Sequence, residues 1–180
     1  MPTAQPHDLA ARCAPIELLV LDVDGVLTDG GILVDDRGVE TKQFHVRDGS
    51  AIVAWRGQGK RVAILSGRSA PLVDRRAAEL GIAPVVQGAA RKGEAFRAIL
   101  DDLGVDARRA CFVGDDLADL PPLLYAGLAA CPADAVPEIR QVAHLVAAAP
   151  GGRGAVREIV EVLLKHQGLW DGIVARYRAE

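Results

Sequence analysis

The sequence predicts an α/β fold, in which a Rossmann-like parallel sheet is sandwiched by helices and carries a small β-hairpin insertion after its first strand. Two observations carry the prediction of the sheet. Apolar runs of strand length recur along the chain and alternate with stretches of helical length. These runs are continuously apolar, which is typical of strands covered on both faces. Alternating strands and helices indicate parallel pairing through right-handed crossovers.

Six segments are predicted to be the strands of this sheet. Each ends in polar or turn residues, and they occupy residues 17–23, 61–67, 83–88, 110–116, 126–132 and 143–149. The segment GGILVDDRGVETKQFHV at 30–46 differs, because two short β-like arms flank DDRG. This pattern predicts the hairpin.

Helices are predicted between and after the strands. The candidate segments are 50–59, 70–81, 92–104, 119–127 and 154–168. Several end at glycine, which is favoured just after a helix C-terminus. The last segment is amphipathic, with its apolar stripe formed by Val156, Ile159, Val160, Leu163 and Leu164.

The chain length of 180 residues suits one domain, which we expect to span residues 16–165. Residues 1–15 are polar and flanked by proline, so they predict a flexible lead-in, and residues 166–180 predict a C-terminal tail. The net charge of −3 gives no basic field that would recruit nucleic acid.

The same composition predicts a cytoplasmic protein without a membrane partner. No apolar run reaches about 18 residues, and the N-terminus lacks the apolar core of a signal peptide. Cys13, Cys111 and Cys131 have no metal-ligand spacing. They therefore predict free thiols in a reducing compartment.

Polar side chains cluster where the predicted strands end. Asp22 and Asp24 follow the first strand, Ser66 the second and Asp115 with Asp116 the fourth, while Lys92 begins a helix. Ligands of open parallel sheets bind beyond the carboxyl ends of the strands. We therefore expect these clusters to converge on one crevice.

Carboxylates brought together in this way repel one another unless a cation neutralises them. Oxygen ligands without histidine or thiolate select a hard ion, and Mg²⁺ is the cofactor that we expect. Such a cation beside an aspartate makes that carboxylate a workable nucleophile toward phosphate. Lys92 would add a positive charge and Ser66 a hydroxyl donor, which together suit phosphoryl transfer.

Four stretches, DVDGVLTDG, SGR, RKGEAF and GDDLADL, resemble the motifs of the haloacid dehalogenase superfamily in their order and spacing. With FHVRDG and GGRGAVRE, they most resemble the phosphatases of that superfamily that act on 3-deoxy-D-manno-octulosonate 8-phosphate, whose product is used to make lipopolysaccharide. The resemblance covers residues 17–165. It implies a hydrolase that forms an aspartyl-phosphate intermediate.

The resemblance also implies a role for each motif residue. Asp22 would attack phosphorus, and Asp24 would protonate the leaving sugar oxygen and then activate water. The Asp22 carboxylate, the Asp24 backbone carbonyl and Asp115 would hold Mg²⁺. Ser66 and Lys92 would bind the phosphoryl group. Asp116 would orient either Lys92 or a metal-bound water, with Asp119 supporting the site from behind.

No interval between the motifs is long enough for a cap domain, so the chain resembles the capless subclass. An open site needs another way to exclude water. The hairpin and the C-terminal segment of neighbouring subunits could close it, and the resemblance implies a homotetramer. Arg68, Arg75 and Arg153 are candidates to bind the substrate carboxylate; Arg76 is a further one, although Arg75 and Arg76 cannot both face the site.

Some alternatives stay open at this point. GGRGAVRE at 151–158 could be a flexible link, or its amides and Arg153 could meet an anion. Asp29 fits a turn or a hairpin anchor. A phosphatase for a nine-carbon ulosonate 9-phosphate would share every motif. From other classes, a non-catalytic phospho-receiver also places aspartates at strand ends, and a catalytically silent homologue could keep all motifs.

Overall fold

The computed structural model describes residues 6–179. Its main sheet has six parallel strands in the order β5-β4-β1-β6-β7-β8. The strands are β1 (Leu18–Leu21), β4 (Arg61–Leu65), β5 (Val85–Val86), β6 (Ala110–Val113), β7 (Leu128–Cys131) and β8 (Leu145–Val146). Each lies inside a predicted strand segment, so the parallel α/β prediction is confirmed.

The predicted hairpin is also present. Strands β2 (Leu33–Val34) and β3 (Glu40–Thr41) pair antiparallel, apart from the main sheet. Asp35 shapes the turn between them, because its carboxylate accepts the backbone N–H groups of Arg37 and Val39. Between β1 and β4 the described chain forms only this hairpin and one helix, which leaves no separate cap over the sheet.

Eight helices flank the sheet within the described residues. They are α1 (Pro6–Cys13), α2 (Val46–Arg56), α3 (Pro71–Leu80), α4 (Lys92–Leu103), α5 (Leu120–Tyr125), α6 (Pro137–Val142), α7 (Ala155–His166) and α8 (Trp170–Arg178). The glycines expected after α3 and α4 do end them: Gly81 and Gly104 have φ of 63° and 61°.

Helices were not predicted for α1, α6 and α8. The first lies in the segment expected as a lead-in, of which residues 1–5 fall outside the described chain, and Cys13 at its end is fully buried. Ile173 of α8, in the expected tail, is 5% exposed. Helix α6 has only six residues, which is too short for a periodic apolar pattern.

Two apolar layers cover the sheet, one on each face. Leu19 and Leu21 of β1 pack with α1, α2, α3, α7 and α8, whereas Leu18 and Val20 pack with α4, α5 and α6. Every residue of β1 is therefore buried, which is why the strand is continuously apolar rather than alternating. The polar residues that follow β1 emerge at the carboxyl edge of the sheet.

None of the helices within residues 6–179 has the length and apolar character needed to cross a membrane.

Candidate active site

The carboxyl edge of the sheet carries an open cleft of about 290 Å³. Its lining comprises Asp22, Asp24, Gly30, Ser66, Gly67, Arg68, Lys92, Asp115, Asp116, Ala118 and Asp119. The strand-end clusters expected from the sequence are thus brought together in one place. The reason is topological, since β1 lies between β4 and β6 and all three strands run in the same direction.

Asp22 and Lys92 form the buried floor of the cleft. Lys92 Nζ lies 2.8 Å from Asp22 Oδ2 and donates to Asp119 Oδ1 at 2.6 Å. Burial and the charge of Asp119 raise the pKa of Asp22 to about 7, against the opposing effect of Lys92. Burial lowers the pKa of Lys92, but its two carboxylate partners outweigh burial and leave that pKa raised. Lys92 therefore keeps its charge in the cleft.

Of the two roles left open for Asp116, the structure does not show the contact with Lys92. Asp119, not Asp116, receives its hydrogen bond. Asp116 instead caps the 3₁₀ turn Leu117–Asp119, where its carboxylate accepts the N–H of Leu117 at 2.7 Å. Asp119, at the end of that turn, faces back toward the strand ends and accepts the N–H of Asp115 at 3.1 Å. Gly114 permits this approach, because a Cβ there would collide with the Asp119 side chain.

A group of carboxylates in the cleft fits a divalent cation. Oxygen atoms of Asp22, Asp115 and Asp119 lie within 4.8 Å of one another. Both oxygens of Asp119 already accept hydrogen bonds, whereas Asp115 Oδ1 is buried without a hydrogen-bond partner. Burial and the charges of Asp22 and Asp119 raise the pKa of Asp115 to about 7. Asp22 and Asp115 are therefore the carboxylates best placed to bind Mg²⁺, whose preferred ligands are oxygens.

Ser66 lies on the opposite wall of the cleft from Asp115, one strand away from Asp22. It is 2% exposed, and its hydroxyl oxygen accepts the N–H of Arg68 at 3.3 Å. Its backbone N–H is used by β5, through the carbonyl of Val86. The hydroxyl hydrogen is thus the group that Ser66 can offer to a bound anion.

Asp24 lies at the rim and has partners that the sequence did not indicate. Lys42, just after β3, donates to Asp24 Oδ1, and its Nζ lies 2.9 Å from Glu40 Oε1. Arg68 Nε lies 3.7 Å from Asp24 Oδ2. Burial lowers the pKa of Lys42, but the hydrogen bonds to Asp24 and Glu40 outweigh it, so the pKa is raised. The signal that could have found Lys42 is its place in the hairpin that follows Asp24 directly along the chain.

The four candidate arginines lie in different places, and Arg76 pairs with Glu79 at 2.8 Å outside the cleft lining. Arg68 lines the cleft and is about half exposed. Arg75 is exposed on α3 and does not line the cleft of its own chain. Arg153 pairs with Asp29 at 3.1 Å, outside the cleft lining. Asp29 thereby serves as an anchor, and its other oxygen accepts the N–H of Gly31, as in a turn.

The GGRG segment lies behind the cleft, where its amides bond to the protein itself. Gly152 N–H donates to the carbonyl of Val26 at 2.9 Å, and Gly151 N–H to Asp134. Asp48 of α2 accepts the N–H groups of Gly154 and Arg157 at the start of α7. Neither glycine at 151 nor 152 has room for a Cβ against the loop after β1. The GGRG segment therefore packs closely against the loop after β1 and is hydrogen-bonded to it.

The chain is similar to known hydrolases in sequence. A family model for haloacid dehalogenase-like hydrolases matches residues 32–127. The 3-deoxy-D-manno-octulosonate 8-phosphate phosphatase KdsC of Escherichia coli (strain K12) is 44% identical over 164 residues. That match covers 91% of this chain and 87% of the relative.

Solved structures agree with this similarity. The 3-deoxy-D-manno-octulosonate 8-phosphate phosphatase from Moraxella catarrhalis, in complex with magnesium ion, phosphate ion and a KDO molecule, superposes with a TM-score of 0.94 at 36% identity. The match covers 96% of this chain and 99% of that one. The corresponding phosphatase from Yersinia pestis has a TM-score of 0.90 at 41% identity, over 92% and 89% of the two chains.

Proposed function

This chain belongs to the haloacid dehalogenase-like hydrolases, and on that basis we propose that it is an Mg²⁺-dependent phosphatase of 3-deoxy-D-manno-octulosonate 8-phosphate. The products are the free sugar acid, which serves lipopolysaccharide synthesis, and phosphate. The observation that carries the proposal is the floor of the cleft. There a buried aspartate at the end of the central strand lies against a charged lysine and beside a second carboxylate that has an unpartnered oxygen. Two relatives with this activity match nearly the whole chain.

The proposed reaction divides between Asp22 and Asp24. A carboxylate oxygen of Asp22 forms a bond to phosphorus as the bond from phosphorus to the sugar oxygen breaks, which gives an aspartyl phosphate. Asp24 gives its proton to the leaving oxygen and then takes one from the water that attacks the intermediate. That second displacement releases phosphate and restores both aspartates.

The remaining residues of the cleft bind charge. Lys92 faces the place where the phosphoryl oxygens would lie, and Asp119 holds it there. Ser66 offers its hydroxyl to the same group. Asp22 and Asp115, together with the Asp24 backbone carbonyl, would hold Mg²⁺, which supplies positive charge to shield the nucleophile from the phosphoryl oxygens. We assign the carboxylate of the substrate to Arg68 of the same chain.

A substrate comparison tests this function. We expect phosphate release from the eight-carbon ulosonate 8-phosphate in Mg²⁺, with kcat/KM at least about tenfold above that for the nine-carbon 9-phosphate, and no release in chelator. A preference for the nine-carbon sugar would keep the chemistry and replace the substrate. No release from either sugar or from simple phosphate esters, with a phosphorylated protein that persists for hours, would indicate a phospho-receiver instead. No release and no phosphorylation would indicate a silent homologue.

We propose that the enzyme is a homotetramer in which neighbouring subunits close the cleft. The support is the hairpin, where Ile32, Leu33, Val34 and Val39 are all more than half exposed beside an open, uncapped site. Arg75 and Arg153 lie outside the cleft of their own chain, so we assign them to the substrate of a neighbour. Residues 16–165 would carry the phosphatase chemistry, and the exposed face of α8 in the tail 166–180 would be a further contact element.

Sedimentation velocity tests the assembly. We expect a particle of about four chain masses, and we expect Leu33→Glu to dissociate it, since a charge cannot be buried unpaired in an interface. Leu124→Glu is the matched control, because Leu124 is 66% exposed against 63% for Leu33 but belongs to α5 and not to the hairpin. A monomeric wild type, or a Leu33→Glu protein that stays assembled, would contradict the proposal.

We propose a cytoplasmic location as well. Cys13, Cys111 and Cys131 are all free and buried, and no disulfide links them. Burial raises the pKa of all three thiols, to about 11 for Cys13 and for Cys131, so the thiols stay protonated and unreactive. Three inert thiols support a reducing compartment.

A further inference from the structure

We propose that Lys42 is a positioning residue that holds the Asp24 carboxylate in place for proton transfer, and that Glu40 fixes Lys42 in turn. The inference rests on the proposed function, because it gives Asp24 the proton-transfer role. It begins from a closed ring of alternating charges at the rim of the cleft. Lys42 donates a hydrogen bond to Asp24 and forms an ion pair with Glu40, and Arg68 lies near the second oxygen of each carboxylate.

Lys42 is the most deeply enclosed member of this ring. Its side chain is 1% exposed, whereas the side chains of Asp24 and Arg68 are 19% and 49% exposed. A lysine is rarely enclosed to this extent unless its charge is paired. Here the carboxylates of Asp24 and Glu40 supply the pairing, and both residues lie close to Lys42 in the sequence.

Lys42 contacts the Asp24 carboxylate more closely than Arg68 does. Lys42 donates a hydrogen bond to Oδ1, while Arg68 Nε remains 3.7 Å from Oδ2, beyond hydrogen-bond distance. Arg68 is bonded instead to Glu40 Oε2, at 3.3 Å. The orientation of the Asp24 carboxylate is thus set mainly by Lys42.

Lys42 acts through Asp24 rather than on the substrate. It does not line the cleft, and neither does Glu40. Strands β2 and β3 have only two residues each and are largely exposed, so they cannot fix the hairpin by packing. The ring fixes its second arm instead. The hairpin is therefore tied to the proton-transfer residue by charge.

The test compares leaving groups. An alkoxide leaves poorly without a proton, whereas p-nitrophenolate leaves readily, so a misplaced acid harms only the first. For Lys42→Met we expect kcat/KM to fall about 30-fold on the eight-carbon sugar phosphate and less than about threefold on p-nitrophenyl phosphate, since general acid catalysis contributes about 10²- to 10⁴-fold. Lys42→Arg should recover part of the loss. Asp24→Asn, which removes the acid altogether, sets the largest difference in kcat/KM loss between the two substrates.

The control is Lys60→Met. Lys60 is also partly buried and donates to the carbonyl of Ile16, but it precedes β4, at the opposite edge of the sheet. We expect Lys60→Met to change kcat/KM by the same factor on both substrates. Glu40→Gln, which keeps Lys42 but weakens its anchor, should give a smaller selective loss and carries the test if Lys42→Met does not fold.

Equal losses on both substrates, or an unchanged rate on the sugar phosphate, would overturn the role of Lys42. Failure of the proposed function is a separate outcome. If the wild type hydrolyses p-nitrophenyl phosphate but not the eight-carbon sugar, the substrate assignment fails. The leaving-group comparison then proceeds with any alkyl phosphate that the enzyme accepts.

Discussion

Replacing Asp22 with asparagine is expected to lower kcat by at least about 10⁴-fold, because it removes the covalent nucleophile. An amide cannot form the acyl phosphate. The fold should survive, because Lys92 keeps its shorter hydrogen bond, to Asp119. Removal of a buried carboxylate whose pKa is raised also relieves repulsion with Asp115 and Asp119.

Two measurements check this expectation. Phosphate release gives kcat, and acid quenching with radiolabelled substrate shows whether labelled protein forms. Asp101→Asn is the matched control, since Asp101 is exposed on α4 and faces away from the cleft. An Asp22→Asn protein that keeps a tenth of the wild-type rate, or still becomes labelled, would contradict the assignment of the nucleophile.

Removal of Mg²⁺ is expected to abolish activity and to make stability depend on pH. Without a cation, Asp22 and Asp115 have pKa values of about 7 in the folded protein, against 3.8 for an ordinary aspartate. Between those values the folded protein binds more protons than the unfolded chain. The free energy of unfolding therefore falls as pH rises from about 4 to about 7. The cation should remove this loss, because it favours the charged carboxylates.

Thermal unfolding measures the effect. In chelator we expect a lower Tm at about pH 8 than at about pH 5.5. Saturating Mg²⁺ should raise Tm by about 5–10 °C at the higher pH and by less than half of that at the lower one. Asp115→Asn should reduce both the pH dependence and the Mg²⁺ effect. An Mg²⁺ effect as large at low pH as at high pH would contradict the carboxylate origin.

Much of the fold could be predicted because a strand that is buried on both faces of the sheet is continuously apolar in sequence. Strand β1 is fully buried, and the same holds for β6 and β7. Helices α3, α4 and α7 carry one apolar face and end near glycine. Such elements are specified locally, so the order of the chain was enough to find them.

The missed helices owe their existence to the rest of the protein. Helix α1 is short and polar, and it is held by Cys13 in the core and by Arg12, which donates to the carbonyl of Gly127 at 3.0 Å. Helix α2 begins at Val46, earlier than expected, since residues 30–46 read as a single hairpin. Contacts with distant parts of the chain decide both cases.

The same distinction applies to the cleft. Strand ends brought together Asp22, Ser66, Lys92 and Asp115 as expected, since parallel topology alone requires it. Lys42 was missed because a lysine in a short hairpin arm is ordinarily solvated. Which of Asp116 and Asp119 would meet Lys92 depended on the rotation of one 3₁₀ turn, which spacing does not reveal.

The central position of β1 separates two kinds of opening fluctuation. Its residues bond to β4 on one side and β6 on the other, and Asp22 N–H donates to the carbonyl of Val113. To release Asp22, a fluctuation must separate three strands, which amounts to global unfolding. The β2–β3 pairing has only two residue pairs, so opening it within one chain costs far less. The backbone amides around Asp22 should thus be among the slowest in the protein to exchange their hydrogens. The rim of the cleft can move to admit substrate and release product while the nucleophile stays fixed.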